Sequence, residues 1–310
     1  MPTLLVRAND ALNINPPAGD VALSLHGSDW LWAVTAIYAV SALGLFGLSF
    51  AARSGERIFH YLFTVALLVG GIAYFAQASD LGFVLVSQVN SSPSLGLTRQ
   101  IFWPKYVHWV VSFPAAITGL GLLSGVSWAT IIFNIFLSWI WVISYLVSAF
   151  TVSNYKWGFF AFGTASWLLL AFSTLNARAS AKRVGVSGHH TVLSAWANLL
   201  WLLYPVAFGL TDGGNRIGVT PGFVFFGVLD VLFTPALSWA FIFLSRRWDY
   251  NQLNLAFTRD GRVRDSSSFG DKTTTAERGL AEANASTERN VSSEKNGAGA
   301  PAAPDNGVAA

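Results

Sequence analysis

Two ionisable side chains lie inside stretches of sequence that are otherwise apolar, and they are the residues best suited to chemistry. His108 lies within the run 106–114, and Asp230 lies within the run 227–235. A histidine exchanges a proton near neutral pH, and a carboxylate can accept or hold one. Ionisable groups at membrane depth are costly and usually face the interior of a helix bundle. The two residues therefore indicate either a proton-sensing or ion-coupled site, or a polar network that joins helices.

Long apolar stretches must position these residues. Of the 310 residues, 53% are hydrophobic and only 11% are charged, whereas about 25% are charged in an ordinary soluble domain. About 20 apolar residues in a helix cross the hydrocarbon core, and a helix satisfies its own backbone in lipid. We therefore predict an all-α fold, a bundle of seven transmembrane helices. The predicted spans are 30–52, 58–78, 103–124, 128–150, 156–175, 191–210 and 221–245.

Basic residues predict the orientation of the bundle and the division of the chain. They cluster after the first, fifth and seventh spans, at Arg53, Arg57, Arg178, Lys182, Arg183, Arg246 and Arg247. Because such residues concentrate on the cytoplasmic side, we expect the N-terminus outside and the C-terminus in the cytoplasm. The predicted parts are an extracellular segment at 1–29, a membrane domain at 30–250 and a disordered cytoplasmic tail at 251–310. Small and polar residues dominate the tail, so it cannot bury enough apolar surface to become ordered.

The long connection at 79–102 contains a valine-rich apolar run at 83–86. Such a run is typical of a strand. We expect a short strand or hairpin over the outer mouth of the bundle.

Several classes of function are excluded or disfavoured by composition. The chain has no cysteine, so disulfides and thiol chemistry are excluded. Its net charge of +3 is small and spread over loops, which gives no sign of a nucleic-acid partner. The membrane domain shows no phosphate loop, nucleophile triad or metal-ligand spacing. We expect no enzyme and no metal site, and the lipid bilayer as the main partner.

Three short runs together carry a resemblance to a known family. They are KYVHWVVSFP at 105–114, WLLYP at 201–205 and GVLDVLFTP at 227–235. In this order on the third, sixth and seventh spans, they resemble the microbial rhodopsins, and the fungal opsin-related branch most of all. The similarity covers about residues 25–250.

The resemblance implies a role for each matching residue. Lys105 stands where the family has arginine, and His108 stands where the family has the carboxylate that accepts the Schiff-base proton. Asp230 matches the counter-ion aspartate. The positions that correspond to the retinal pocket are Trp109, Trp201, Tyr204, Phe208, Asp230 and Thr234.

Thr234 differs from the residue that the family has at this position, and this difference decides which cofactor is expected. It stands where a retinal-binding opsin has its lysine, and a retinal Schiff base needs a primary amine in the middle of the bundle. The five lysines of the chain all lie elsewhere, at Lys105, Lys156, Lys182, Lys272 and Lys295. We therefore expect no retinal and no other cofactor.

Other substitutions agree with a protein that is not a pigment. Gly119 takes the place of the cytoplasmic proton donor of pumps. Phe113 and Trp141 add aromatic bulk, so we expect the space left by retinal to be filled.

The parent fold brings the remaining polar residues together. We predict a polar cluster of Lys105, His108, Ser112, Tyr204 and Asp230. This cluster is either a working site or a network that holds the third, sixth and seventh helices together.

The resemblance extends to the thirty-kilodalton heat-shock-protein group of fungal plasma membranes. It implies a stress-responsive, non-photochemical regulatory or chaperone-like protein of the plasma membrane, with a proton ATPase as a partner. The alternative is a passive proton or ion channel or transporter, and a retinal photoreceptor is the least favoured. Rhodopsin-like bundles often form homo-oligomers, so such an assembly is a further expectation by analogy.

Overall fold

A computed structural model describes residues 9–52, 57–92, 96–250 and 253. Contacts divide the chain into Met1–Arg259 and Asp260–Ala310, and all described residues belong to the first unit. The predicted tail at 251–310 lies outside the described residues, apart from Leu253.

The described residues form a helix bundle with one β-hairpin. In chain order the elements are α1 Ala11–Ile14, α2 Leu25–Ala51, α3 Arg57–Ala78, β1 Phe83–Ser92, β2 Gly96–Phe102, α4 Pro104–Ser124, α5 Trp128–Phe150, α6 Lys156–Asn176, α7 Arg178–Arg183, α8 Ser187–Leu210, α9 Val219–Val231, a π-helical turn Leu232–Ala236 and α10 Leu237–Ser245. Seven helical spans within the described part are long and apolar enough to cross a membrane. The prediction of a seven-helix membrane bundle is confirmed.

Local signals explain where the helices begin. The side chain of Ser24 accepts a hydrogen bond from the backbone N–H of Gly27, and Ser127 does the same for Thr130. These are N-cap bonds, which satisfy amide groups that a helix leaves open at its first turn. Because of the Ser24 cap, α2 begins at Leu25, before the predicted start at residue 30. The last residues of the predicted segment 1–29 are therefore helical.

The basic residues Arg178, Lys182 and Arg183, which follow the fifth predicted span, are helical. The structure places all three in the short helix α7. Alanine, arginine and lysine are strong helix formers, so a basic connection of this composition readily becomes helical.

The predicted strand at 83–86 is confirmed, and it extends to Ser92. β1 pairs with β2 in antiparallel register, with Phe83 opposite Phe102 and Val86 opposite Arg99. A parallel bridge between Val21 and Arg99 ties the N-terminal segment to this hairpin.

The hairpin marks one end of the bundle, here named the hairpin end. The N-terminal segment and the α8–α9 connection lie at the same end, because Arg99 of β2 donates hydrogen bonds to Asn215 and to the carbonyl of Ile217. The other end contains the α4–α5 connection and α7, since Gly125 lies beside Val184.

A π-helical turn interrupts the last span between α9 and α10. It covers Leu232–Ala236 and contains Pro235. Proline has no N–H to donate and its ring clashes with the preceding turn, so a helix that contains it must adjust locally. Such a turn often marks a functional site, and here it presents Thr234 to the centre of the bundle.

α5 and α6 pack closely because a glycine lets them approach. A Cβ atom on Gly163 would lie 2.7 Å from a ring atom of Tyr145 and 3.0 Å from the carbonyl oxygen of Trp141. Both Gly163 and Gly158 belong to α6, but Gly158 has open space around it.

We predict that Gly163→Ala destabilises the protein, because the added methyl group must push α5 away from α6. The expected loss is about 1–3 kcal/mol of unfolding free energy, typical of overpacking. Gly158→Ala is the matched control and should cause no loss. Unfolding in mixed micelles, followed by tryptophan fluorescence, measures both; equal losses would contradict the packing argument.

Candidate functional site

Asp230 is fully buried and accepts hydrogen bonds from three helices. Its Oδ1 accepts from the Trp109 indole N–H at 2.9 Å and from the Tyr204 hydroxyl at 2.6 Å. Its Oδ2 accepts from the Tyr74 hydroxyl at 2.5 Å. A buried carboxylate needs such donors, because it has lost its water. The carboxylate therefore joins α3, α4 and α8 to α9.

His108 is fully buried beside this network. Its Nε2 lies 3.1 Å from the Tyr38 hydroxyl and 3.4 Å from the Thr234 hydroxyl. The Tyr38 hydroxyl donates its single proton to the backbone carbonyl of Asp230 at 2.9 Å. Tyr38 therefore accepts from His108, which places a proton on Nε2. Nδ1 has no hydrogen-bond partner among the described residues.

A glycine allows α3 to approach these groups. A Cβ on Gly70 would lie 2.3 Å from the Tyr38 ring and 2.9 Å from the His108 ring. Any larger residue there would displace both rings.

Ser112 and Thr234 complete the polar centre. Both are buried, and the Ser112 hydroxyl has no hydrogen-bond partner in the described part of the chain. The Thr234 carbonyl accepts from the Ser238 hydroxyl at 2.5 Å. This is a local bond from a serine side chain to the carbonyl four residues before it.

Lys105 does not join Asp230 as predicted but lies in a second cluster nearer the hairpin end. Its ammonium group forms an ion pair with Asp212. The Tyr106 hydroxyl donates to the same carboxylate at 2.7 Å, and Arg99 Nε lies 3.7 Å from it. Lys156 donates to the Asp212 backbone carbonyl at 3.2 Å. The predicted five-residue cluster is thus divided, with His108, Ser112, Tyr204 and Asp230 in one part and Lys105 in the other.

The electrostatics of the second cluster favour a charged Asp212. Burial acts to raise the pKa of Asp212, but the charges of Lys105 and Arg99 and the hydrogen bonds from Lys105 and Tyr106 outweigh it, so this pKa is lowered. For Arg99, burial lowers the pKa although Asp212 opposes the shift. An arginine still keeps its proton, because its ordinary pKa is so high.

Aromatic rings occupy the centre of the bundle, as predicted for Phe113 and Trp141. The Phe113 ring centroid lies 5.0 Å from that of Trp141, 5.2 Å from that of Tyr204 and 5.2 Å from that of Phe233. Trp201 packs against the same group, with its centroid 5.9 Å from that of Phe113. These rings fill space beside Thr234.

Two other predicted positions have apolar surroundings. Phe208 packs 4.5 Å from Tyr145 and 5.7 Å from Phe160, measured between ring centroids. Gly119 lies against the rings of Phe63 and Phe241. Gly119 is therefore bordered by aromatic rings.

The sequence reading missed the partners of both clusters. Tyr38 and Tyr74 are phenols within apolar helices, and their depth in the span was the available signal. Arg99 and Asp212 lie outside the predicted spans, yet their exposed fractions are 1% and 3%. Only the folded connections bury them.

Comparisons with known proteins show which family this chain is similar to. Residues 27–245 match the family model described as "Bacteriorhodopsin-like protein". The chain is 34% identical over 273 residues to the "Opsin-like protein carO" of Fusarium fujikuroi, which covers 84% of this chain and 87% of that relative. It is 31% identical over 248 residues to the "30 kDa heat shock protein" of Saccharomyces cerevisiae, which covers 72% of this chain and 74% of that relative.

The fold is also similar to solved structures. A light-driven proton pump from Leptosphaeria maculans superposes with a TM-score of 0.70 at 24% identity, covering 76% of this chain and 99% of the pump. At this level of identity the match supports the fold alone.

We predict that the phenol of Tyr204 stabilises the bundle chiefly through Asp230. Tyr204→Phe should cost about 1–3 kcal/mol of unfolding free energy, because a buried carboxylate loses a donor. In an Asp230→Ala background the same change should cost far less. A double-mutant cycle in mixed micelles measures the coupling.

Tyr61→Phe is the control for this cycle, because Tyr61 is half exposed on α3. It should cost little in either background. Equal costs of Tyr204→Phe in both backgrounds would refute the assigned role.

Proposed function

The chain belongs to the bacteriorhodopsin-like family, and from that premise we propose a non-photochemical, opsin-related membrane protein with a stress-responsive regulatory or chaperone-like role. The proposed location is the plasma membrane, with the N-terminus outside and the C-terminus in the cytoplasm. The protein is proposed not to be an enzyme and to carry no retinal.

The observation that carries this proposal is the hydroxyl of Thr234 at the centre of the bundle. A tethered retinal needs a primary amine at that place. Two buried residues, Lys105 and Lys156, do carry a primary amine. Lys105 pairs with the Asp212 carboxylate and Lys156 donates to the Asp212 backbone carbonyl, both near the hairpin end. The packing of Phe113 against Trp141 and Phe233 supports the same conclusion, since the rings take up room that a chromophore would need.

The proposed stress role draws its support from a relative. The similar yeast protein is named a 30 kDa heat shock protein. In the present chain, seven helices of the described part are long and apolar enough to cross a membrane. A regulatory protein of this kind acts through contacts with membrane proteins. We propose a proton ATPase as such a partner and a homo-oligomer as the assembly.

A passive proton or ion conductor is the second candidate. The Asp230 network and the Asp212 cluster favour it, because they provide ionisable groups from the centre to the hairpin end. The opposite half disfavours it. There Phe63 and Phe241 pack 4.9 Å apart beside Gly119, and a conductor needs polar groups or water along its full length.

We predict that purified protein incubated with all-trans retinal in the dark shows no visible absorption band and no covalent mass increase. The reason is the missing amine at Thr234. The Leptosphaeria maculans pump, treated in parallel, is the positive control. A light-sensitive band in the wild-type chain would overturn the non-photochemical proposal.

We also predict that expression of the chain restores heat survival in a Saccharomyces cerevisiae strain that lacks the 30 kDa heat shock protein. Asp230→Asn, compared at equal membrane abundance, should still restore survival, since the proposed role does not require proton exchange at this carboxylate. Proton flux into liposomes should be the same for both forms. Loss of rescue together with loss of flux would favour the conductor instead.

A further inference from the structure

The end of the bundle opposite the hairpin, here named the α7 end, carries a surplus of exposed positive charge. In the part of the chain that the structure describes, six exposed cations lie at this end: Arg57, Arg178, Lys182, Arg183, Arg246 and Arg247. Asp249 is the one acidic residue that the described ranges place there. A single carboxylate cannot neutralise six cations, so this surface is positive and suits an anionic partner.

A hydrogen bond between two helix ends brings four of these cations into one patch. The Trp248 indole N–H donates to Nδ1 of His189 at 3.0 Å. Trp248 directly follows the two arginines at the exit of α10, and His189 lies in the first turn of α8, soon after the two cations that end α7. We name these four residues the basic patch: Lys182, Arg183, Arg246 and Arg247.

Local bonds and packing hold the basic patch together. The backbone N–H of Val186 donates to the Ala181 carbonyl at 3.2 Å. Gly185 has a φ of +75°, a conformation that glycine adopts without strain, so the chain turns sharply between α7 and α8. Trp248 also packs against a third helix, because its ring centroid lies 5.5 Å from that of Phe59 on α3. The positions of the four cations are therefore set by the fold.

The cations begin at the depth of lipid headgroups. Leu175 and Phe243 lie in membrane spans with exposed fractions of 50% and 57%, so they face lipid. Each lies about one helical turn before a cation, Arg178 and Arg246 respectively. One turn is about 5 Å along a helix, and the headgroup layer on each side of the hydrocarbon core is about 5–8 Å thick. The Arg246 guanidinium carbon lies 5.7 Å from the Phe243 ring centroid, which keeps this charge at the apolar boundary.

We propose that the basic patch binds the headgroup of a polyphosphorylated inositol lipid in the adjoining leaflet. Guanidinium groups bind phosphate oxygens through paired hydrogen bonds, and an ammonium group adds a compact point charge. Four cations suit several phosphates on one ring better than the single net charge of phosphatidylserine, because each cation near the headgroup adds to the attraction. The inositol ring also carries its phosphates beyond the other headgroups, towards Lys182 and Arg183 at the end of α7.

A lipid fits this surface better than a soluble polyanion does. The basic patch adjoins exposed apolar residues of the neighbouring spans, such as Val192 on α8 and Phe243 on α10. A bound lipid lays its acyl chains along such residues while its phosphates meet the cations, whereas a free inositol phosphate or an acidic peptide gains no such contact. Assignment to the cytoplasmic leaflet rests on the proposed orientation, but binding in micelles does not depend on it.

The dioctanoyl form of phosphatidylinositol bisphosphate is the probe for the first test. Native mass spectrometry of the full chain in neutral detergent micelles, at constant ionic strength, should show one saturable lipid adduct. Dioctanoyl phosphatidylserine should bind at least about tenfold more weakly, because it offers fewer charges to the four cations. Free inositol trisphosphate should also bind more weakly, since it lacks acyl chains.

Variants locate the site. Arg247→Gln should raise the dissociation constant of the bisphosphate lipid about fivefold, the loss expected for one cation near a charged lipid. Lys182→Gln should have a similar effect, and the double variant should lose about 25-fold because both cations contact the same headgroup. Arg216→Gln is the matched control, because Arg216 is exposed at the hairpin end, and it should leave the dissociation constant unchanged. Arg247→Lys keeps the charge and should retain binding, which separates lost charge from lost folding.

Three results would contradict the proposal. Phosphatidylserine that binds as tightly as the bisphosphate lipid would reduce the effect to general attraction between cations and anionic lipid. Equal weakening by Arg216→Gln and Arg247→Gln would remove the site from the α7 end. Displacement of the lipid by an equal concentration of inositol trisphosphate, or of a hexaglutamate peptide, would identify a soluble partner instead. None of these outcomes bears on the retinal or heat-survival tests of the proposed function.

Discussion

The buried carboxylate of Asp230 is the constraint on which the centre of this protein depends. A membrane interior offers little water, so a carboxylate there must receive its hydrogen bonds from the protein. Tyr74, Trp109 and Tyr204 supply them from three helices. Each donor lies on a different helix, so the hydrogen bonds to Asp230 fix the mutual position of α3, α4, α8 and α9.

The rest of the centre follows from the same constraint. Where no polar partner is offered, the space is filled by rings such as Phe113 and Phe233, which need none. Among the polar atoms, Tyr38 and His108 are joined by a hydrogen bond, whereas the Ser112 hydroxyl has no partner in the described part of the chain. In a fold that is similar to those of light-driven pumps, packing and hydrogen bonds thus hold together the helices around Thr234.

At the hairpin end, the buried polar groups are charged side chains of both signs. There the β-hairpin and the α8–α9 connection cover charges that would otherwise face water, and Asp212 pairs with Lys105 and Arg99. Buried charges are costly unless they are paired and hydrogen-bonded. The β-hairpin and the α8–α9 connection, and not the membrane spans, therefore produce the buried cluster of charges at this end.

The sequence alone determined the seven spans, the strand at 83–86 and the places of Asp230 and Thr234, because each depends on local composition or on a short motif in a fixed order. It could not assign Lys105 to Asp212, nor find Tyr38 and Tyr74 as members of the Asp230 network. Those pairings join residues far apart in the chain, and they arise only when helices pack and loops fold over the hairpin end. Arg99 and Asp212 show the reason most clearly, since a charged residue between two spans carries no local sign of burial and only the tertiary structure removes its water.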